Sequence, residues 1–260
     1  MLVRFNLPSF AAISGPVGNV GGMPLAVAFS SNGAVAYVPA LSPGTLSIVD
    51  VGLNQTVGSI GGLLGDLSAA LVSANDDQVY VTSDNDLMYV IDVPTQTISR
   101  TIDLHAVSNM LVQHPTLSHI LASSFNGAKV LEVDEATQSV VRTLPVGGQP
   151  QGLAISPDGS ELYVADELGR LVIWDLNTNT LKQEIVVPPG AFGLSLTPDG
   201  VQIYLTIVGN PQGTVLVYDR VSRSLVNTII TGPFPRRIAF DIAGTTAVIT
   251  SAGTQVHFVN

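Results

Sequence analysis

One phrase recurs along this chain about every 42 residues. Its clearest copy is Pro150-Gln-Gly-Leu-Ala-Ile-Ser-Pro-Asp-Gly-Ser-Glu-Leu-Tyr-Val-Ala-Asp166, followed by Leu171-Val-Ile-Trp-Asp175 and Leu181-Lys-Gln-Glu-Ile185. Aligned on the acidic or amide residue that closes its third strand, the phrase falls at Asn6, Asp50, Asp92, Asp134, Asp175, Asp219 and Asn260. A repeat of this length cannot bury its apolar face alone and must stack against its neighbours. The period therefore constrains the fold before any single residue does.

Each unit carries short apolar runs. The first reads 26–30, 68–72, 109–113, 152–156, 193–197 and 237–241. The second reads 35–38, 78–81, 119–122, 161–164, 202–205 and 246–249. The third reads 46–49, 88–91, 130–133, 171–174, 215–218 and 256–259, and a fourth follows near 57–60, 98–102, 140–144, 181–185 and 225–229. The runs are rich in Val, Ile, Leu and Tyr and bounded by turn residues, which is strand chemistry. Helical repeats of similar period are excluded because prolines and Asp-Gly or Asn-Gly turns interrupt every unit. Four strands in about 42 residues make one propeller blade.

The reading is an all-β, six-bladed β-propeller of four-stranded antiparallel blades, one domain over residues 1–260. The blades lie at approximately 21–60, 61–102, 103–144, 145–185, 186–229 and 230–260 plus 9–15. The last unit lacks a fourth strand, and Phe10–Ser14 is expected to supply it, closing the ring from a segment spanning 1–20. Leu2–Phe5 also resembles a third strand, which the last blade already has. Asn32-Gly33, Asp158-Gly159 and Asp199-Gly200 stand where a tight hairpin needs positive φ. The pattern Asp-x-x-Thr or Ser at Asp92, Asp134, Asp175 and Asp219 reads as turn capping, which absorbs most of the acidic residues.

Composition narrows the function. Charged residues make up 12 %, the formal net charge is −10, and only two lysines are present, Lys129 and Lys182. That balance argues against a nucleic-acid partner, whose phosphates need a basic patch, and disfavours anionic membranes. No stretch reaches the 18 or so apolar residues of a spanning helix, so no membrane insertion is expected. The absence of cysteine removes disulfides, thiol nucleophiles and Cys-ligated zinc.

The copies Glu161-Leu-Tyr-Val-Ala-Asp166, Asp77-Gln-Val-Tyr-Val-Thr82 and Gly33-Ala-Val-Ala-Tyr-Val-Pro39, set in the phrase Pro-x-Gly-Leu-Ala-Ile-Ser-Pro-Asp-Gly, strongly resemble the YVTN family of bacterial and archaeal β-propeller repeats. The resemblance covers nearly the whole chain. It implies a surface-layer-like or envelope protein, often exported, serving adhesion or interaction. Localisation is accordingly expected to be secreted, periplasmic or cell surface. The unit with His114-Pro-Thr-Leu-Ser-His119 departs most, replacing the Ser-Pro-Asp-Gly turn. The chain is also similar to lactonase-type propellers, which are usually seven-bladed, but no catalytic motif carries over.

Chemistry-bearing motifs are sparse. No Gly-x-Ser-x-Gly elbow, P-loop or dinucleotide fingerprint occurs, and no catalytic residue or cofactor is assigned. His114 and His119 are expected in a solvated turn, and His257 in a structural role. Asp84 and Asp86 offer oxygens for a metal, but the loop ends in Leu87-Met88 without the spaced acids calcium needs. The loops entering the first strands collect Asp66, His105, Asn109, Gln151, Phe192, Arg236 and Arg237 on one face, at the expected channel mouth. Arg237 takes the slot of Gly152 and Gly193, a small residue exchanged for a long cation. One reading is an anion or carboxylate site; the other is a guanidinium paired with a carboxylate such as Asp66 to fill the channel. The chain is read as a non-enzymatic, monomeric binding or scaffold propeller taking a protein, peptide or glycan. The rivals are a lactonase-like hydrolase or lyase, and a structural domain served by a neighbour.

Overall fold

The computed structural model describes residues 5–6, 11–12, 17–42, 44–209, 212–252 and 256–259. Among them no helix occurs, and every element is a strand. None is therefore a helix long and apolar enough to cross a membrane. A short hairpin pairs β1 (Phe5–Asn6) with β2 (Ala11–Ala12). Blade 1 holds β3 (Gly22–Pro24), β4 (Ala28–Phe29), β5 (Val35–Ser42), β6 (Thr45–Asp50) and β7 (Gln55–Ile60). Blade 2 holds β8 (Leu67–Val72), β9 (Gln78–Ser83), β10 (Leu87–Asp92) and β11 (Thr97–Asp103). Blade 3 holds β12 (Ser108–Gln113), β13 (His119–Ser124), β14 (Lys129–Asp134) and β15 (Ser139–Leu144). Blade 4 holds β16 (Pro150–Ile155), β17 (Glu161–Asp166), β18 (Arg170–Asp175) and β19 (Thr180–Val186). Blade 5 holds β20 (Ala191–Leu196), β21 (Gln202–Ile207), β22 (Thr214–Asp219) and β23 (Leu225–Ile230). Blade 6 shows β24 (Pro235–Phe240), β25 (Ala247–Ser251) and β26 (Val256–Val259).

Each blade is an antiparallel meander, as the period predicts. The chain is a six-bladed β-propeller. It divides into two compact units, Met1–Gln113 with Leu131–Arg142, and His114–Val130 with Thr143–Asn260.

Two details refine the sequence reading. The first strand of blade 1, expected unbroken at 26–30, is two pieces, because Leu25–Val27 leave the ladder between Pro24↔Ala40 and Ala28↔Tyr37. Of the proposed closing strand Phe10–Ser14, only Ala11–Ala12 lies within the described residues, and it pairs with Phe5–Asn6.

The turns follow the repeat. Asp50, Asp92, Asp134, Asp175 and Asp219 each accept the backbone N–H three residues on, at 2.7 to 3.0 Å. In the first hairpin Ser156 Oγ donates to Asp158 Oδ1 at 2.5 Å, and Gly159 completes the turn at φ 76°. Blade 2 places Asp76 in that slot at φ 61°. Its carboxylate is fastened to blade 1 by Ser31, whose N–H and hydroxyl donate at 2.8 and 2.5 Å.

The core lies between blades. In the first unit Tyr37, Leu46, Ile48 and Ile60 of blade 1 meet Leu67, Val79, Val81, Tyr89 and Ile91 of blade 2. In the second, Tyr163, Leu171 and Ile173 of blade 4 meet Leu194, Ile203, Leu205 and Tyr218 of blade 5. Burying such side chains supplies roughly 1.5–3 kcal/mol each.

Candidate functional site

The inner strands of the second unit share one irregularity. Pairing with the next strand slips between Pro150 and Leu153, between Ala191 and Leu194, and between Pro235 and Ile238. A bulge bends the strand and re-aims its side chains. It falls on Gln151-Gly152, Phe192-Gly193 and Arg236-Arg237. Neighbouring inner strands close up at these bulges. A Cβ on Gly152 would stand 2.4 Å from the Phe192 carbonyl oxygen, and one on Gly193 1.9 Å from that of Arg236. Glycine is therefore required there by space. Thr206 Oγ1 accepts the Gly193 N–H at 2.7 Å and stands 3.1 Å from the Arg236 carbonyl it can donate to. Thr250 Oγ1 accepts the Arg237 N–H in the same way, at 3.2 Å.

On this frame two guanidiniums share one ring. The Cζ of Arg236 lies 4.5 Å from the Phe192 centroid and that of Arg237 5.5 Å. A ring face attracts cations through its quadrupole. Arg237 keeps part of its surface open, yet protein atoms surround most of it. Burial, and then the like charge of Arg236, bring its pKa down to about 10. It is still protonated at neutral pH. Gln151, on the adjacent inner strand, is buried and donates from Nε2 to Glu167 Oε2 at 2.9 Å.

The structure thus joins three of the residues singled out by sequence, Phe192, Arg236 and Arg237, with Gln151 engaged nearby by its own carboxylate. The remaining three belong to the first unit. Asp66 is exposed, and its N–H donates to Asp84 Oδ1 at 2.8 Å. His105 is an exposed turn residue at φ 49°, its Nδ1 3.1 Å from Asp103. Asn109 is half-buried in β12. Asp84 is committed to the turn that holds Asp66, and Asp86 stands at φ 63° with its carbonyl accepting from Leu104 at 2.8 Å. Among the described residues no three metal-ligating side chains gather.

Sequence reasoning did not foresee the burial of several polar side chains, His114, Asp166 and Glu161 among them. His114 is 5 % exposed, not a solvated turn residue as expected. Its Nδ1 accepts from the N–H groups of Thr116 and Leu117 at 3.3 and 3.2 Å, which ties down the turn that lacks Asp-Gly. Asp166 is fully buried and accepts from Gln149 N at 2.7 Å and Arg170 Nε at 2.5 Å, while Arg170 also grips Glu184. Glu161 collects Lys182 at 2.5 Å and Arg223 at 2.7 Å, together with the Tyr163 hydroxyl. Burial opposes its charge, but these donors hold its carboxyl below the usual range. The available signal was a concentration of bases at Lys182, Arg220 and Arg223 around a lone Glu at the start of a second strand. His257 is structural, accepting the Gly232 N–H at 3.2 Å.

No family model matches the chain. Antigen Lp49 of Leptospira interrogans serogroup Icterohaemorrhagiae serovar copenhageni is 25 % identical over 184 residues, covering 65 % of this chain and 40 % of its own length. The chain therefore spans about two-fifths of that relative. Hydrazine synthase of Kuenenia stuttgartiensis superposes with a TM-score of 0.77 at 17 % identity, over 91 % of this chain and 76 % of that one. At that identity the likeness shows the propeller fold.

Proposed function

We propose that the chain is a non-enzymatic binding or scaffold propeller of the YVTN kind, from a bacterial envelope or secreted protein. It takes a protein, peptide or glycan on the face that carries the inner-strand entry loops. The observation that carries this reading is where the polar groups are spent. The recurring slots of the phrase, its Asp and Ser residues, are consumed by turns, and Glu161 and Asp166 by ion networks inside the second unit. The repeat's departures cluster instead at the Phe192, Arg236 and Arg237 bulges. An aromatic ring with arginines is the composition of binding hot spots. The antigen relative is compatible with a surface location.

The test is an array of peptides and glycans probed with the wild-type chain and with Phe192→Ala, together with a lactone panel. Saturable binding that Phe192→Ala weakens, without lactone turnover, supports the reading. Turnover of a lactone that vanishes in Arg237→Ala overturns it in favour of a hydrolase.

A further inference from the structure

Four basic residues of the second unit are spent on its own carboxylates. Arg170 grips Asp166 and Glu184, and Lys182, Arg220 and Arg223 surround Glu161. Each has a carboxylate from the fold itself. Arg236 has none among the described residues; its guanidinium lies on the Phe192 ring beside a second cation. In a chain of net charge −10, an arginine set against another arginine rather than one of the 20 acids is an outlier.

Stacking settles what such a group can still do. A guanidinium held over a ring by its charge keeps N–H donors that the ring does not consume. Those donors form a fork that matches the two oxygens of a carboxylate. The backbone beneath is fixed: Thr206 and Thr250 clamp the bulges, and Gly193 lets β20 and β24 approach without a gap. The fork is held on sheet rather than on a free loop, so little ordering entropy remains to be lost on binding.

We infer that Arg236 and Arg237, stacked on Phe192, form a binding site for a carboxylate group, and that a ligand of the propeller is recognised through that group. The inference deepens the binding function proposed above and rests on it. A carboxylate is preferred over a tetrahedral anion because the planar fork gives it two parallel hydrogen bonds. Arg236 supplies the fork, Phe192 holds it, and Arg237 adds a second charge beside it. Binding is electrostatic in part and weakens with salt.

Calorimetric and NMR titrations with succinate, citrate and galacturonate, with sulfate as the tetrahedral control, test the inference. Melting temperatures of all variants confirm folding. The expected result is saturable carboxylate binding, tighter than sulfate, weakened at least about tenfold in Arg236→Gln. Arg236→Lys restores it only partly, and the shifted amides lie around Thr206, Gly193 and Thr250. Binding unchanged in Arg236→Gln, sulfate bound as tightly as the carboxylates, or no carboxylate binding at all overturns the inference. The array probed with Phe192→Ala separates the two readings. Array binding that survives Arg236→Gln but falls in Phe192→Ala removes the carboxylate site and leaves the binding propeller standing. Array binding unaffected by either variant removes both.

Discussion

Five residues, Asn54, Gln96, Gln138, Asn179 and Arg223, hold left-handed backbone with φ between 50 and 60°. Each lies four positions beyond a capping aspartate, where the third strand turns into the fourth. The capping aspartates are legible from the Asp-x-x-Thr spacing. The left-handed position is not, because glutamine and arginine carry no turn signal, and only asparagine tolerates such φ well. The cap and its N–H bonds over-determine the backbone and hold it there. Replacing Gln138 by Val, whose branched side chain resists positive φ, is expected to lower unfolding free energy by about 1–2 kcal/mol, whereas Gln138→Asn leaves it level or slightly higher. Urea titration of both variants decides this, and equal midpoints for Val and Asn count against it. The same hairpin logic sets an acid response. Asp158 is held at about 2 by the Ser156 hydroxyl first, then the Ser160 N–H and hydroxyl. Its unfolded value is about 3.9. A folded pKa below the unfolded one means stability that is complete above pH 4 and lost as pH falls toward 2. Asp92, Asp175, Asp199 and Asp219 are lowered by their own turn donors and act in the same direction. Asp158→Asn should flatten the fall in stability across that window, and a slope as steep as wild type would contradict the assignment.

Strands and their spacing were readable because turn residues punctuate them and the period repeats. How strands meet was not. The glycine of the phrase reads in sequence as loop or weak strand, yet at position 193 it is where two inner strands come together. A Cβ there would sit 1.9 Å from the Arg236 carbonyl oxygen. Gly193→Ala is therefore expected to cost more than about 2 kcal/mol by forced separation of β20 and β24. Gly61 makes the control: a Cβ there would meet nothing within 4 Å, and Gly61→Ala should be neutral. Thermal melts of the pair test the contrast. The Glu161 network was illegible for a related reason: its partners come from β19 and the turn after β22, which sequence separates from Glu161 by up to 62 residues. Glu161→Gln leaves Lys182 and Arg223 without their charge partner. A loss of about 2 kcal/mol is expected, toward the low end for a broken buried pair because Lys182 is substantially exposed. Arg237 illustrates the opposite case. Its exchange for glycine in the phrase was visible in sequence, and the structure adds the ring that Arg236 and Arg237 share.

Copies of one phrase do not have one fate in the whole molecule. Pro24-Leu-Ala-Val-Ala-Phe29 matches Pro150-Gln-Gly-Leu-Ala-Ile155 position for position. In the second unit Leu153 is 2 % exposed and Ile155 9 %, while in the first unit Val27 is 39 % and Phe29 51 %. Local sequence cannot show this difference, since both copies carry large apolar residues at these two slots. What differs is the cover. In the first unit Val17 and Val20 pack on Ala36, Val38 and Val49, shielding the middle of one face of blade 1. The row Met23, Leu25, Val27 and Phe29 beside it stays open. Side chains left open in this way add less folding energy than their enclosed counterparts in the second unit. The consequence is a matched pair of substitutions. Leu153→Lys places a charge in a closed interior and should cost about 4 kcal/mol or more, with loss of the folded signal on modest heating. Val27→Lys, at the equivalent slot, lets the ammonium reach water along its apolar stem, so its cost should stay below about 1 kcal/mol. It should also lower binding of an apolar dye, since one exposed apolar side chain is removed. If Val27→Lys unfolded the chain as Leu153→Lys does, blade 1 would be as enclosed in solution as blade 4, against the contrast in burial between the two copies.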